Sequence, residues 1–431
     1  AEVVVPLAGH AFKFPLVDSL ELSASVRYEN YSDFGDATKP KLGVNWRPVK
    51  WIMVRGSYNQ GFHAPNLAEL FTGSLIRTAT NTTDAYRSIV TGLPTDGSSN
   101  RRSLSSGNLS LKPESSTGRT AGVVIDVPKL TGLSLSVDYW EIRQKNVISG
   151  PTATDAVNSD SAALIATTHA ALAAGTPVGL IDLGSGAANY RGDPSVVRLP
   201  VTQADRDAFA AYNAGKPADQ QRATVGAIDF IRLTFFNKAQ QFVNGVDFDF
   251  TYRLPPTALG SFTFDSAWTY LIDFYSYDAP GKPKTVLRAQ NSFVATGAAV
   301  WRGTTTLTWR RGPWGAGLSA YYIGRYQDSN ATTTQSIYQA LGSPGYIAQV
   351  YTGGAWTYRY VVYDSLTYNA YVSYRIPAQN RYLDNTAIRL GAVNLLNAKP
   401  PLSSDARGYD PAVYNNLARG LAWSVQLTKE L

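Results

Sequence analysis

The chain of 431 residues contains no cysteine and only three histidines. Without cysteine there can be no disulfide, no thiolate nucleophile and no cysteine-ligated zinc site. The histidines, His10, His63 and His169, are far apart in the sequence and support neither a metal-binding spacing nor a Ser-His-Asp arrangement. No glycine-rich loop follows a strand and opens a helix in the way that cradles a phosphate. We therefore predict no catalytic residue, no metal site and no cofactor, and we do not expect an enzyme.

Long apolar runs are also missing. The longest uncharged stretch, residues 161–181, is mostly Ala, Thr and Gly and is interrupted by Pro177. It is too weakly apolar to cross a bilayer as a helix. We predict a short amphipathic helix there and a second helix over residues 203–221, both within a long loop. Residues 1–7 already have the pattern of a strand, so the sequence shows no secretory signal.

Charge is scarce and aromatic residues are plentiful. Charged residues make up 16% of the chain, below the usual quarter, and aromatic residues make up 12%. The nine Trp and 26 Tyr suit the aromatic girdles of a membrane barrel, although a tyrosine-rich soluble β protein has the same composition. The net charge of +7 indicates anionic surroundings. The basic residues are scattered and form no nucleic-acid-binding motif, so no nucleic acid partner is expected.

The dominant pattern is an alternation of apolar and polar residues with a period of two, which recurs about a dozen times and is typical of strands with two different faces. In the last segment, the residues predicted to face lipid are Leu421, Trp423, Val425 and Leu427. In another segment Asp247 and Asp249 share the polar face of one strand. Single charges on that face suit a wet barrel interior better than acid-base catalysis.

The gaps between these segments alternate between short and long. The short gaps are rich in Pro or Gly, as turns are, and lie at 49–50, 128–132, 255–260, 312–313 and 377–385. The predicted long loops are about 61–116, 147–239, 273–298, 328–357 and 397–418. Outer-membrane barrels have short periplasmic turns and long outside loops, whereas a soluble sandwich has no reason to separate its loops in this way. We therefore predict an all-β fold over residues 1–431, a transmembrane antiparallel β-barrel with about 13 strands in this chain.

Short motifs follow one another in a fixed order along these segments. They lie at residues 31–35, 39–43, 55–58, 61–65, 67–70, 107–108, 111–114, 133–139, 245–248, 394–397, 400–401 and 408–411. As an ordered set they resemble the barrel of TonB-dependent outer-membrane receptors over nearly the whole chain. The motif positions are Tyr31, Phe34, Gly35, Pro40, Arg55, Phe62, Pro65, Glu69, Pro113, Glu114, Gly245, Asp247, Asn394 and Pro400.

The resemblance implies a plugged barrel of the 22-stranded kind. The sequence departs from that pattern, because neither an N-terminal plug domain nor a TonB-contacting segment is visible and only about 13 strands can be counted. An open edge on each side would not be tolerated in lipid. We therefore expect the C-terminal portion of a barrel, with the plug and the remaining strands in the same or a separate chain. The last residue, Leu431, replaces the aromatic residue with which the family usually ends.

By resemblance, the protein is expected to be an active transporter of the bacterial cell outer membrane. Its outside loops and plug would capture a scarce ligand, such as a ferric siderophore, cobalamin or an oligosaccharide. The TonB–ExbB–ExbD system would supply the energy for import, and the lipid bilayer and lipopolysaccharide would surround the barrel. The alternatives are a passive pore or a surface-binding outer-membrane barrel without energy coupling. An outer-membrane enzyme would need a Ser, His and acid cluster near the barrel rim.

Candidate ligand contacts are loop and rim groups that can stack on a ring or bind an anion. They are Arg77, Arg101, Arg102, Tyr351, Trp356 and Tyr358. The three arginines share one predicted outside loop with Arg87, where they could meet lipopolysaccharide phosphates or an anionic ligand. We favour a solvated loop surface as the explanation of these arginines. The sequence does not name the ligand, because the loops that would touch it carry no recognisable signature.

Overall fold

A computed structural model of the chain describes residues 1–8, 15–31, 35–150, 152–184, 189–277, 284–289, 299–352, 355–377, 386–405 and 407–429. His10, Phe34 and Leu431 lie outside the described residues, as do most of the turn predicted at 377–385 and the side chain of Tyr351. The chain divides into two compact units. The sheet unit comprises Ala1–Phe62, Ser115–Val147 and Lys238–Leu431, and the loop unit comprises His63–Glu114 and Ile148–Asn237.

Strands account for most of the regular structure. In chain order they are β1 (Glu2–Ala8), β2 (Ser19–Tyr31), β3 (Gly35–Val49), β4 (Ile52–His63), β5 (Leu75–Thr82), β6 (Ser99–Ser106), β7 (Glu114–Asp126), β8 (Leu133–Ser149), β9 (Val196–Arg198), β10 (Ile228–Thr234), β11 (Phe236–Arg253), β12 (Ser261–Tyr277), β13 (Thr285–Val286), β14 (Trp301–Arg311), β15 (Trp314–Ile323), β16 (Tyr326–Thr333), β17 (Ile347–Thr352), β18 (Ala355–Val362), β19 (Ser365–Arg375), β20 (Thr386–Val393) and β21 (Ala422–Lys429). The helices are α1 (Leu67–Phe71), α2 (Ser88–Thr91), α3 (Ala153–Ala173), α4 (Gln203–Asn213), α5 (Gln335–Ala340) and α6 (Pro411–Tyr414).

Strands of the sheet unit pair in the order in which they follow one another along the chain. Within the described residues this order is β1-β2-β3-β4-β7-β8-β11-β12-β14-β15-β19-β20-β21, and the short β13 adds to β12 to give a sheet of 14 strands. The pairing is antiparallel, for example between β2 and β3, between β11 and β12 and between β14 and β15. The prediction of about 13 antiparallel strands is therefore confirmed.

The sheet has an apolar face and a polar face, because successive residues of each strand point to opposite sides. On β2 and β3 the large apolar residues Leu22, Val26 and Leu42 are exposed on one face. Ser25 and Lys41 are paired on the other face. In a soluble sandwich the apolar face would be buried against a second sheet. Here it stays exposed strand after strand, which is the arrangement that hydrocarbon solvates.

Aromatic residues mark both ends of the apolar face on β14 and β15. Trp301 and Trp309 lie on one face of β14, and their separation in sequence corresponds to about 27 Å of extended strand, or about 21 Å across the membrane at a strand tilt of roughly 40°. Trp314 and Tyr322 have the same spacing on β15. The ring of Tyr270 lies 4.7 Å from that of Trp301 and so adds a third strand to the aromatic residues at the loop end. An apolar band about 25 Å tall between aromatic girdles is typical of outer-membrane barrels.

Tight turns join the strands at one end of the sheet. Two residues separate β3 from β4, and Gly312 and Pro313 separate β14 from β15. Residues 254–260 join β11 to β12, and Gly260 closes this turn with a φ of +108°. A Cβ at Gly260 would also lie 2.3 Å from the Arg310 carbonyl oxygen, so only glycine fits there.

Four gaps at the opposite end of the sheet are long, although only residues 32–34 separate β2 from β3. They span residues 64–113, 150–235, 278–300 and 394–421. The first two gaps form most of the loop unit. Between β15 and β19 lie α5 and a three-stranded sheet with the order β16-β18-β17.

The loop unit has its own sheet and its own core. Its four strands have the order β5-β6-β10-β9, and β10 runs parallel to β6. Helix α3 begins before the predicted residue 161, because Thr152 caps it and accepts a hydrogen bond from the Asp155 amide. Leu164 of α3 and Phe209 of α4 are buried in one hydrophobic cluster. No helix in the described ranges is long and apolar enough to cross a membrane.

Buried ion pairs tie the segments of the loop unit together. Arg198 has no exposed side-chain area and donates hydrogen bonds to Asp84 Oδ2 at 2.6 Å and to Asp160 Oδ2 at 2.7 Å. Arg87, also buried, lies 3.1 Å from Asp96 and 2.8 Å from Asp205. Burial raises the pKa of the Asp160 carboxyl, although Arg198 opposes that shift. Such charges are tolerated in an interior only when each one is paired.

We expect Arg198→Met to destabilise the loop unit by about 3–5 kcal/mol, because Asp84 and Asp160 would lose their buried partner. Hydrogen exchange of the β10 amides measures this local free energy directly. The matched control is Arg206→Met on the exposed side of α4, where a change within about 0.5 kcal/mol is expected. Equal protection of β10 in the two variants would contradict the structural role of Arg198.

Candidate functional site

The polar face of the sheet unit contains a cavity of about 980 Å³ near the loop ends of β2, β3, β4, β7 and β8. Its floor is formed by residues that the strand register places on one face. Ser25 pairs with Lys41, and Lys41 pairs with Asn59 on the next strand. Ser116 and Trp140 extend the same surface across β7 and β8. We call this surface, formed by Ser25, Lys41, Asn59, Ser116 and Trp140, the polar cradle.

Trp140 is the one large aromatic residue of the polar cradle. The alternation of β8 places Leu133, Leu135 and Val137 on the apolar face, so Trp140 belongs to the opposite face. Its indole lies against Gly245 of β11, where a Cβ would be 2.7 Å from Trp140 Cζ2. The glycine at this motif position therefore leaves room for an aromatic ring on an otherwise hydrophilic surface.

Two glycines of β7 leave room for polar side chains of neighbouring strands in the same way. A Cβ at Gly118 would lie 2.2 Å from Asn59 Oδ1, and one at Gly122 would lie 1.9 Å from Asp138 Oδ1. Across Gly122, Arg55 of β4 reaches Asp138 of β8 with two hydrogen bonds of 2.7 and 2.6 Å. This two-pronged ion pair is a strong and geometrically specific contact. It joins β4 to β8 across β7, below the polar cradle.

Cationic side chains lie beside the polar cradle, and one of them, Arg27, is paired with Glu29. Arg27 and Lys39 are paired in the strand register on the same face, one step closer to the loop ends than Ser25 and Lys41. Glu2 of β1 also lines the cavity. A half-buried indole that shares a cavity with lysine, amide and hydroxyl groups can stack on a planar ring while those groups bind its anionic substituents. The arrangement has the chemistry of a binding surface.

The three candidate arginines lie in the loop unit with different surroundings. Arg77 and Arg101 share one face of the β5–β6 pair, and Arg102 lies on the other face. Arg101 is buried, donates to the carbonyl oxygens of Thr82, Thr95 and Asp96, and burial lowers its pKa. Arg77 and Arg102 are exposed, and Arg102 pairs with Asp229. The structure therefore brings the three together in one sheet but does not place them on one surface.

The aromatic candidates lie in the sheet unit, on the small sheet of β16, β17 and β18. Trp356 is 59% exposed and pairs in the strand register with Tyr351. Tyr358 lies two residues along the same strand and is only 7% exposed, with its ring 5.1 Å from that of Tyr338. Trp356 is thus the more accessible of the two, and its contact with a ligand stays a prediction.

Several motif positions shape the sheet unit. The rings of Tyr31 and Phe62 are 5.6 Å apart, and Gly35 opens β3 with a φ of +74°. Pro40 pairs with Val26 within the β2–β3 ladder. Asp247 accepts a hydrogen bond from Thr269 Oγ1 at 2.8 Å.

The remaining motif positions shape corners and caps. Pro65 precedes α1, where Asn66 and Glu69 form a reciprocal capping box. Glu114 follows Pro113 and accepts a hydrogen bond from the Ile148 amide, and its carboxylate lies 3.3 Å from His63 Nδ1. Asn394 has a φ of +53° and exchanges two hydrogen bonds with Ala398, two residues before Pro400.

Sequence reasoning missed Trp140, Asn59 and the glycines of β7 as a group. The signal for Trp140 was present, because the alternation of β8 already assigns it to the polar face. No sequence signal predicted that Gly118 and Gly122 leave space for side chains of other strands. That relationship depends on which strands are neighbours.

An antiparallel sheet with an exposed apolar face, aromatic girdles and a polar opposite face defines a β-barrel protein of the outer membrane. A family model described as "TonB dependent receptor-like, beta-barrel" matches residues 11–395. The chain therefore belongs to the TonB-dependent receptor-like β-barrel family, whose members reside in the outer membrane of Gram-negative bacteria. The predicted fold, family and location are confirmed.

Solved structures agree with this assignment at the level of the fold. The siderophore receptor PirA from Acinetobacter baumannii matches with a TM-score of 0.53 at 14% identity, over 95% of this chain and 43% of that one. A variant of the ferric enterobactin receptor PfeA from Pseudomonas aeruginosa matches with a TM-score of 0.52 at 13% identity, over 96% and 43%. The chain thus spans less than half the length of these receptors. Comparison with curated proteins gives no match.

We expect Gly122→Ala to weaken the sheet by about 1–3 kcal/mol, because the new methyl group would push Asp138 away from Arg55. Gly56→Ala in the same sheet is the matched control, since its Cβ would make only ordinary contacts at 3.5 Å. Denaturant unfolding in detergent, followed by the shift in electrophoretic mobility of the folded barrel, measures the difference. Equal midpoints for the two variants would show that the ion pair does not need the gap.

Proposed function

We propose that this chain forms part of the barrel of an energy-coupled outer-membrane receptor that binds a scarce ligand and imports it. The observation that carries the proposal is the polar cradle at the loop end of a TonB-dependent receptor barrel. A surface with stacking and anion-binding groups at the outer end of the bore suits capture of a ligand before passage. No covalent step is required of its residues.

The environment of each face of the sheet follows from the polarity of its side chains. The exposed side chains of Leu421, just before β21, and of Trp423, Val425 and Leu427 on β21 are assigned to lipid, together with the rest of the apolar face. The polar face is assigned to the bore, which a plug domain fills in this proposal. The remaining strands and the plug belong to the same or a separate chain, and the TonB–ExbB–ExbD system supplies the energy.

A ferric siderophore is the ligand class that we favour. The structural neighbours are described as a siderophore receptor and a ferric enterobactin receptor. Negatively charged, ring-bearing chelates would suit Trp140 and the cations Arg27, Lys39 and Lys41, which line the same cavity. Arg77, Arg102 and Trp356 are proposed as further contacts from exposed loop surfaces, and Arg101 and Tyr358 as supports for them.

We expect Trp140→Ala and Lys41→Gln each to weaken binding of ferric enterobactin by about tenfold, through loss of stacking and of one charge. Equilibrium binding to the complete protein in detergent checks this. The control is Trp423→Ala, which removes an exposed indole from the apolar face and should leave binding unchanged. Unchanged affinity in both polar-cradle variants would exclude the cradle as the ligand surface.

Energy coupling is tested separately in cells. Iron delivered by the siderophore should accumulate in a strain with an intact TonB system and fall to background when TonB is deleted. A passive pore would instead give uptake that is independent of TonB and proportional to external concentration. A surface-binding barrel would retain the ligand at the cell surface in both strains.

A further inference from the structure

On two neighbouring strands, β7 and β8, the apolar face changes to charged residues at one level. On β8 the series Leu133, Leu135, Val137 and Tyr139 is followed on the same face by Glu141 and Arg143. On β7 Arg119 pairs directly with Glu141, so it lies on this face too. The change occurs toward the loop ends, away from the turn that joins β7 to β8. We call Arg119, Glu141 and Arg143 the rim cluster.

The rim cluster has one inward-held carboxylate and two outward guanidinium groups. Glu141 Oε1 lies 3.5 Å from Arg119 Nη1 and 3.4 Å from Arg143 Nε. The Glu141 side chain is only 10% exposed, whereas those of Arg119 and Arg143 are 58% and 56% exposed. One negative charge therefore holds two positive charges in position. Each guanidinium has further N–H groups that can donate to other acceptors.

Each of the two arginines lies over an aromatic ring. The Arg119 guanidinium carbon is 6.0 Å from the centre of the Tyr58 ring, and that of Arg143 is 5.1 Å from the Phe242 ring. A third cation joins them, since Lys284 Nζ lies 4.0 Å from the ring of Tyr275, which itself is 5.1 Å from Phe242. Rings behind the cations restrict their motion and leave their outer sides free.

The height of the rim cluster matches the boundary of a bilayer. From Leu133 to Arg143, β8 extends about 34 Å, which a strand tilt of roughly 40° reduces to about 26 Å across the membrane. The arginines therefore stand where hydrocarbon gives way to the headgroups of the outer leaflet. Guanidinium groups bind phosphate with paired hydrogen bonds, and a headgroup phosphate is the acceptor available at that height.

We propose that the rim cluster is a binding site for the phosphate groups of a phosphorylated lipid in the outer leaflet. Arg119 and Arg143 bind the phosphate, and Glu141 fixes their spacing. The apolar residues below them on β7 and β8 contact the acyl chains. In the strand register its side chains lie on the opposite face of the sheet from those of the polar cradle, although Arg119 and Glu141 also border the cavity. It does not depend on import.

The test measures retention of diphosphoryl lipid A by the complete protein in detergent, using native mass spectrometry. We expect the double variant Arg119→Gln, Arg143→Gln to bind this lipid at least about tenfold more weakly. The double variant Arg119→Lys, Arg143→Lys keeps both charges and should stay closer to the unmodified protein. The matched control is Arg311→Gln, which removes an arginine from the apolar face at the tight-turn end of β14 and should have no effect.

The unmodified protein should also prefer diphosphoryl lipid A to dephosphorylated lipid A, a comparison that needs no variant to fold. Absence of that preference would overturn the proposal. So would unchanged binding in the folded glutamine variant, or an equal loss in Arg311→Gln. Displacement of the lipid by inorganic phosphate in excess would show that the site takes the free anion and would also overturn it.

Discussion

Each long strand of the sheet unit presents an apolar face to lipid and a polar face to water, because alternate side chains point to opposite sides. Leu22, Val26 and Leu42 stay exposed on one face, and Ser25 and Lys41 stay polar on the other. The distance between the aromatic residues at the two ends of β14 then sets the thickness of the apolar band. Membrane position, the orientation of the bore and the height of the rim cluster all depend on this alternation.

The polar face adds a second constraint, which is space. Polar side chains that reach across a strand need a residue without a Cβ beneath them. Gly122 permits the Arg55–Asp138 pair, Gly118 permits Asn59, and Gly245 permits Trp140. These glycines therefore both allow an ion pair that stabilises the sheet and shape the polar cradle. Glycine usually weakens a strand, so its repeated use on this face indicates that the crossing contacts matter more than local strand propensity.

The loop unit follows soluble-protein rules although it is inserted between membrane strands. It buries its own apolar cluster around Tyr86, Leu164 and Phe209, and it pairs its buried arginines with aspartates. Arg87 and Arg101 looked like free cations of an outside loop in the sequence. The structure places both inside, where their hydrogen bonds hold segments of the chain together. A loop with its own core can present Arg77 and Arg102 on fixed faces of a sheet.

The local sequence determined the strands, their two faces, the tight turns and the approximate number of strands, because alternation and turn chemistry act between neighbours in the chain. It also indicated the two loop helices, although the cap at Thr152 moved the start of α3 to Ala153. Only the tertiary structure decided which polar groups meet. Arg55 and Asp138 are 83 positions apart, and Arg198 and Asp84 are 114 positions apart. Which residues become partners depends on how the strands and loops pack. No local pattern in the sequence specifies contacts between residues so far apart in the chain.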